Sequence, residues 1–512
     1  MNEGSSVDHL VAALRAELAQ CPEGARLPSS RALMERHRVS PVTVSRAIAV
    51  LVAEGEVASR PGAGVFRTRP HAPHRARGDL SWQEVALCAD PAPGDGPAPP
   101  PGPGGGRAAP GPHTPLPAPV PPPAPGPQTA DASGVLATLA VPPPGVIDLV
   151  GGYLHASLQP ERALAGALAR AGRRPGTWER PPVEGIAELR AWFARDIAGP
   201  GAALGGADVL IAAGGQSALG TALRALAAPG APVLVESPTY PGTLAAARAA
   251  GLRPVPVPVD EDGVRTDLLA QAFRATGARV FVCQPLFHNP TGATLSAERR
   301  PEVVRVARAA GAFVVEDDFA RRLAHADAPP APAPLAADDP DGVVVHVRSL
   351  TKATSPSLRV GALAARGPVL ERLRATQVVD SFFVPRPLQE TALELVGSPA
   401  WQRHLRTLGG ALRERRNAAA EALRRELPAL RLRVPSGGYH LWLRLPDGTD
   451  EQALAAAALH AGVAVTPGRP YFAAEAPAPH LRLSYISAVS TGQLREGVGR
   501  LARAYAATGT AR

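Results

Sequence analysis

Between Val7 and Ala19 the apolar residues Leu10, Val11, Leu14 and Leu18 recur at three- and four-residue intervals, the spacing of one helical face. The following stretch, LPSSRALMERHR, carries Ser29 and Ser30 ahead of its apolar positions, either of them placed to cap a second helix. After the short break Val39-Ser40 comes PVTVSRAIAVLVAEGEV. Ser40 suits the cap of a third helix, Pro41 its first turn, and Val44, Ile48 and Leu51 its buried stripe. Two short helices joined by a tight turn make a helix-turn-helix. VASRPGAGVFRT then reads as two strands around a Pro-Gly-Ala-Gly turn, a small wing.

This pattern stops near residue 70. Residues 70–145, which include PAPGDGPAPPPGPGGGRAAPGPHTPLPAPVPPPAPGP, are not expected to bury a core, and their prolines block helix and ladder hydrogen bonds. They predict a disordered Pro/Gly-rich linker, in part polyproline-like and in part flexible at the glycines. From about residue 146 to 512 short apolar runs (APVLVES, ARVFVCQP, AFVVEDD, GVVVHVRS) alternate with Ala- and Leu-rich helical stretches. That alternation predicts an α/β domain, a mostly parallel sheet with helices on both faces. The expected organisation is therefore a small helical domain over 1–69, a linker over 70–145 and a large domain over 146–512.

Composition adds limits. The chain has 512 residues, 45% hydrophobic and 19% charged, which suits a globular protein of two or three domains. A net charge of +9 is compatible with a nucleic-acid partner. Residues 1–85, however, carry 11 Arg against 9 Asp and Glu, a balance of only +2, so charge alone assigns no DNA binding. Cys21, Cys88 and Cys283 are too few and too scattered for a disulfide framework or a zinc site. No secretory leader is visible in MNEGSSVDHL, and apolar stretches break well before the ~20 residues of a membrane span. The expectation is a cytoplasmic protein with no membrane partner and no metal.

One residue stands out. Of 54 Lys and Arg, 53 are Arg, and the single lysine is Lys352. Arginine stays protonated, whereas a desolvated lysine can lose its proton and attack a carbonyl to form a Schiff base. Around it in the large domain lie further candidates. GGQSALGTALRALA opens on Gly214, Gly215 and Gln216, backbone amides suited to an anion. ESPTYPG offers Tyr240 and QPLFHNPTG offers Asn289. VVEDDFARRL offers Asp317 and Asp318, and RSLTKATSPSLRVG offers Ser349, Thr351 and Arg359.

The segment LPSSRALMERHRVSPVTVSRAIAVLVAEGEVASRPGAGVFRT resembles the winged helix-turn-helix of GntR-type bacterial regulators. It carries their PS-x-R element, their VS-x-x-TV helix start, their L-x-x-EG helix end and their R-x-G-x-G wing. The resemblance implies double-stranded DNA as partner, contacted by Arg31, Ser40, Thr43, Ser45 and Arg46, with Gly62 of the wing near the minor groove. From Ile147 onward the chain resembles fold-type-I aminotransferases, which bind pyridoxal 5'-phosphate (PLP), on S-x-x-K with an arginine seven residues later and on NPTG. That resemblance implies a Schiff base on Lys352, Asp317 paired with the pyridine nitrogen, Asn289 on the ring oxygen and Tyr240 stacked on the ring. It places Gly215, Gln216, Ser349 and Arg359 on the phosphate, and Arg482 of HLRLSYISA on a substrate or effector carboxylate.

Together the two halves resemble MocR-type regulators. The expected function is a transcription regulator that senses PLP or an amino-acid-like effector, as a homodimer in which the DNA-binding domains are free to swap. A working aminotransferase with a tethered DNA-binding domain is the alternative, and a scaffold that has lost its cofactor is a third reading. Three departures bear on the choice. Phe319 stands where the family has a tyrosine bonded to the cofactor's ring oxygen, Trp178 and Glu184 stand in a reworked GTWERPPVEG, and Gly215 replaces a serine of the phosphate loop. All three weaken the case for turnover more than the case for binding.

Overall fold

The structure, a computed structural model, describes residues 3–22, 24–53, 56–60, 64–67, 78–87, 131–199 and 204–509. The N-terminal helices run Glu3–Gln20, Ser30–His37 and Pro41–Ala53, followed by strands Val57–Arg60 and Gly64–Arg67 paired antiparallel. Leu10, Leu14, Leu18, Leu33, Val44 and Leu51 form the buried core of this unit, as the periodicity predicts. Ser29 is the residue that caps the second helix, its Oγ accepting from the Ala32 amide at 3.2 Å. Ser40 Oγ accepts from the Thr43 amide at 3.1 Å and so caps the third. Gly62 lies outside the described residues.

The large domain is built on an eight-stranded sheet. Its spatial order is Val209–Ala212, Gly361–Ala364, Val344–Ser349, Phe313–Asp318, Val280–Cys283, Pro232–Ser237, Arg253–Asp260 and Gly263–Val264. The five strands from Val344–Ser349 to Arg253–Asp260 are mutually parallel, while Gly361–Ala364 and Gly263–Val264 run against their neighbours. Val209–Ala212, Val280–Cys283, Val344–Ser349 and Gly361–Ala364 are buried at every residue. A sheet covered by helices on both faces requires such unbroken apolar runs. A second, antiparallel sheet of Arg431–Leu432, His440–Arg444, His480–Ser484 and Thr466–Pro467 sits toward the C-terminus.

The linker expectation for 70–145 needs a correction at both ends. Trp82–Leu87 forms a short helix against the large domain, with Trp82, Gln83 and Ala86 buried. Trp82 packs its ring 4.8 Å from that of Phe313 and donates from Nε1 to the Asp341 carbonyl. Gln83 donates to the carbonyls of Gly342 and Arg366 and accepts from the Val369 amide. That amide lies in the first turn of the Pro368–Ser381 helix, where no carbonyl of the helix itself can serve it. Ser133–Leu139 forms another helix, and a Cβ built at its Gly134 would meet Pro241 and Pro470. Proline richness hid these anchors because the few residues that pack are outnumbered by those that do not.

Replacing Gln83 with alanine removes three hydrogen bonds that cross from this segment to the large domain. Gln83→Ala is expected to speed hydrogen exchange at the Val369 amide by about tenfold or more, with the central strands unchanged. Unaltered exchange at Val369 would show that another contact holds the segment.

Candidate functional site

The residues of the cleft sit just beyond the ends of the parallel strands, where open α/β sheets place their ligands. Gly215 and Gln216 follow Val209–Ala212 and open the helix Gly215–Leu226, whose first amides no side chain caps. Tyr240 follows Pro232–Ser237, Gln284 and Asn289 follow Val280–Cys283, Asp317 is the penultimate residue of Phe313–Asp318, Ser349 ends Val344–Ser349 and Lys352 follows it. These residues line one cleft with Arg359, Phe319, Thr351, Tyr153, Leu219 and Tyr439. All eight expected cofactor-binding residues are therefore brought together.

At one end Arg359 lies beside the start of the helix. Its backbone is left-handed at φ 49°, and its Nη2 donates to the Ala213 carbonyl at 2.7 Å. Gly214 has φ 83°, and a Cβ there would come within 3.1 Å of the Arg359 guanidinium carbon. A side chain at 214 would push the arginine away. Gly215 is different, since a Cβ there would meet Ser349 at an ordinary 3.6 Å. The glycine that replaces the usual serine is thus not required by space. Uncapped amides, a guanidinium and a serine hydroxyl suit a doubly charged oxyanion.

Asp317 lies on the opposite face of its strand from Glu316 and Asp318, as strand alternation demands. Its Oδ2 accepts from Gln284 Nε2 at 2.6 Å, and Gln284 is held in turn by the Asn289 amide, which donates to its Oε1 at 3.1 Å. Burial pushes the Asp317 carboxyl up to about 6, against partial relief from the Gln284 amide. The Oδ1 of Asn289 and the Oγ1 of Thr351 are buried without a partner.

Lys352 lies at the focus of the cleft. Its Nζ donates to the Gly152 carbonyl at 2.9 Å and sits 4.1 Å from the Tyr153 ring centre. Desolvation pulls its pKa down to about 8 from 10.5, Tyr153 opposes the drop, and Arg482 adds to it. A fraction of free amine therefore exists near neutrality, the state that attacks a carbonyl. Arg482 is buried. Its Nη1 donates to the Val150 carbonyl at 3.2 Å, its Nε has no partner, and among the described residues no carboxylate is ion-paired with it. A buried guanidinium without a counter-charge is costly, and a ligand carboxylate would relieve that cost.

Several of these residues escaped the sequence. Gln284 stands in the same QPLFHNPTG stretch as Asn289, and only the structure reveals its amide on Asp317. Tyr153 and Tyr439 come from distant segments, and nothing in their local sequence marks them. Phe319 lines the cleft without a phenol, as expected. Trp178, the aromatic of the altered element, is 82% exposed and does not line the cleft. Glu316, Asp318 and His346 cluster closely enough to ligate a metal. Arg321 and Arg348 supply the counter-charge there, so the cluster is an ion-pair network.

In the N-terminal unit Arg31 is exposed and pairs with Glu35 at 3.3 Å. The hydroxyls of Ser40 and Thr43 bond each other at 2.9 Å. Ser45 and Arg46 are exposed on the third helix. Ser45, with Ile48 and Val52, lines a groove opposite Arg162, Trp192 and Arg195 of the large domain.

Residues 146–501 match the aminotransferase class I and II family, and residues 7–66 match the bacterial regulatory proteins of the gntR family. The chain belongs to the aminotransferase class I and II family, a PLP-dependent fold, and joins it to a gntR-type helix-turn-helix. It is 33% identical over 365 residues to the 2-aminoadipate transaminase of Thermus thermophilus, covering 70% of this chain and 90% of that enzyme. It is 30% identical to the HTH-type transcriptional regulator TauR of Rhodobacter capsulatus, over 58% of this chain and 60% of the regulator. The crystal structure of LysN, the α-aminoadipate aminotransferase of Thermus thermophilus complexed with N-(5'-phosphopyridoxyl)-L-leucine, superposes with a TM-score of 0.69 at 30% identity. That match covers 75% of this chain and 97% of LysN. The pairing of domains fits the MocR type of regulator.

Two consequences are measurable on the cofactor-free protein. Reductive methylation of Lys352, followed by peptide mapping, is expected to reach half-maximal rate near pH 8; a midpoint at the ordinary lysine value of 10.5 would show a solvated amine. Asp317 has a raised folded pKa, so its contribution is favourable below the ordinary carboxyl value and is lost as pH rises through about 6. Asp317→Asn is therefore expected to stabilise the cofactor-free protein at neutral pH by about 1–3 kcal/mol, read as a higher Tm. A lower Tm would mean that the ionised carboxylate is well compensated.

Proposed function

We propose that this protein is a DNA-binding transcription regulator whose large domain holds PLP covalently through Lys352 and senses an amino-acid-like effector. The observation that carries the reading is the convergence of the chain's single lysine with Asp317, Asn289, Arg359 and the helix start at Gly215 in one cleft. The residues fit the cofactor. The amides of Gly215 and Gln216, the Ser349 hydroxyl and Arg359 would hold its phosphate. Asp317 would face its ring nitrogen, and the cationic ring would repay the cost of that buried carboxylate. Asn289 would serve the ring oxygen with its amide, and Tyr240 would cover a ring face.

PLP supplies an electrophilic carbonyl and an electron-withdrawing ring. Lys352 would contribute the amine that bonds the PLP carbonyl, and its free Nζ would be a base beside the Gly152 carbonyl. Arg482 would take the effector's carboxylate in a two-pronged grip. Effector binding shifts DNA affinity only if two conformations bind the effector differently. Arg31, Ser40, Thr43, Ser45 and Arg46 would contact the duplex, and a homodimer would present two such units to a two-fold site. Swapped DNA-binding domains and a cytoplasmic location belong to the same reading.

The likeness to 2-aminoadipate transaminase supports a second reading, an active aminotransferase. Phe319 weighs against it, because the cofactor's ring oxygen loses a phenolic donor. Sustained turnover with an amino acid and a keto acid would favour the enzyme.

Purified protein with added PLP is expected to turn yellow, and borohydride followed by peptide mapping should place the reduced adduct on Lys352. Absence of that adduct, or a retained yellow colour in Lys352→Ala, would sink the assignment. Arg46→Ala is expected to weaken binding to a duplex selected from a random pool about tenfold at constant salt, with PLP uptake unchanged. Undiminished affinity would mean that another face of the helix reads DNA.

A further inference from the structure

The wall of the cleft on the Arg482 side is formed by Tyr439. Tyr439 lines the cleft and Arg482 does not. The two belong together in the small sheet, since Tyr439 immediately precedes the His440–Arg444 strand, whose neighbour His480–Ser484 carries Arg482. The Arg482 guanidinium carbon lies 5.4 Å from the Tyr439 ring centre, and Lys352 Nζ lies 5.8 Å from the same centre. One ring thus stands beside both groups that an amino acid would have to span.

The phenol oxygen is placed just as tightly. A Cβ built at Gly152 would come within 3.6 Å of Tyr439 Oη and 3.5 Å of Lys352 Nζ. Hydroxyl and amine therefore converge on one point above Gly152. The ring is 3% exposed and rests edge-on against Phe319 at 6.1 Å and His440 at 5.1 Å between centres. Tyr471 lies on Arg482 as well, its ring centre 5.9 Å from the guanidinium carbon. Burial raises the Tyr439 phenol and the guanidinium of Arg482 draws it back, as proximity of the two requires.

We propose that Tyr439 is a specificity-determining plug: its side chain occupies the path from the cleft to Arg482, and a carboxylate reaches the guanidinium only by displacing it. This rests on the reading of Arg482 as the carboxylate anchor. The consequence is selectivity. A plain carboxylate arrives with little binding energy and must move a packed ring unaided. A ligand whose amine is already engaged at the PLP carbonyl beside Lys352 would present its carboxylate at high effective concentration, and the second contact becomes intramolecular. The plug favours ligands that carry both groups over ligands that carry one. Phe319 is part of the device, since its phenyl ring gives the Tyr439 ring an apolar neighbour.

Acetate is the probe, titrated into the full-length cofactor-free protein and read by thermal shift and calorimetry. The wild type is expected to bind acetate weakly, Tyr439→Phe to behave like it because the ring remains, and Tyr439→Leu to bind at least about tenfold more tightly. Equal affinity of wild type and Tyr439→Leu would overturn the plug. Should Tyr439→Leu fail to fold, Tyr439→Met, which fills similar volume with a flexible chain, carries the same comparison. Arg482→Gln in the opened background separates the two claims. Loss of acetate binding there keeps Arg482 as the anchor, whereas retained binding removes the anchor and the plug with it, while leaving the Lys352 adduct experiment unaffected.

Discussion

Glu316, Asp317 and Asp318 are consecutive carboxylates on a fully buried central strand, and the architecture around them is arranged to tolerate that. Strand alternation divides the three. Glu316 and Asp318 face one side, where the register sets them against His346 and Arg348 of the adjacent strand. Glu316 accepts from His346 Nδ1 at 2.7 Å and from the amides of Leu335 and Ala336. Asp318 accepts from Arg321 Nε at 2.5 Å and pairs with Arg348, which reaches on to Asp196. Burial raises the Asp318 carboxyl, but Arg348 and Arg321 outweigh it and hold it low. Asp317, on the other face, receives one amide and, among the described residues, no cation in hydrogen-bond contact.

That asymmetry makes a scaffold into a site. A carboxylate paired with two cations, as Asp318 is with Arg321 and Arg348, has little left to offer a ligand. Asp317 is kept poorly compensated, as is Arg482 with its unpartnered Nε, and Lys352 is held partly deprotonated by its surroundings. Each is costly in isolation, and each is of the opposite character to one part of an amino-acid-bearing cofactor. The compensated network behind the sheet lets the strand tolerate the strain in front of it.

The N-terminal helices, the wing strands and the four quoted apolar strands were legible because their signals are local. Leu10, Leu14 and Leu18 fall on one helical face, and a run such as VVVHV has no polar position to spare for solvent. Lys352 was legible for a different reason, since a single amine among 53 arginines is a chemical exception visible without any fold. Trp82 and Gln83 were missed because a six-residue helix makes no periodic pattern. Gln284, Tyr153 and Tyr439 were missed because an amide or phenol acquires its role only from what lies across from it.

The chain by itself therefore determined which residues are chemically able to act: the amine, the carboxylate, the arginines and the helix-turn-helix that carries them to DNA. Tertiary structure alone decided which of them meet, and at what electrostatic cost. Among the described residues it set Gln284 rather than a cation beside Asp317, left Arg482 without a counter-charge, and laid Tyr439 between Arg482 and the cleft. Those outcomes follow from strand register and burial, which depend on residues tens to hundreds of positions apart, and no local pattern encodes them.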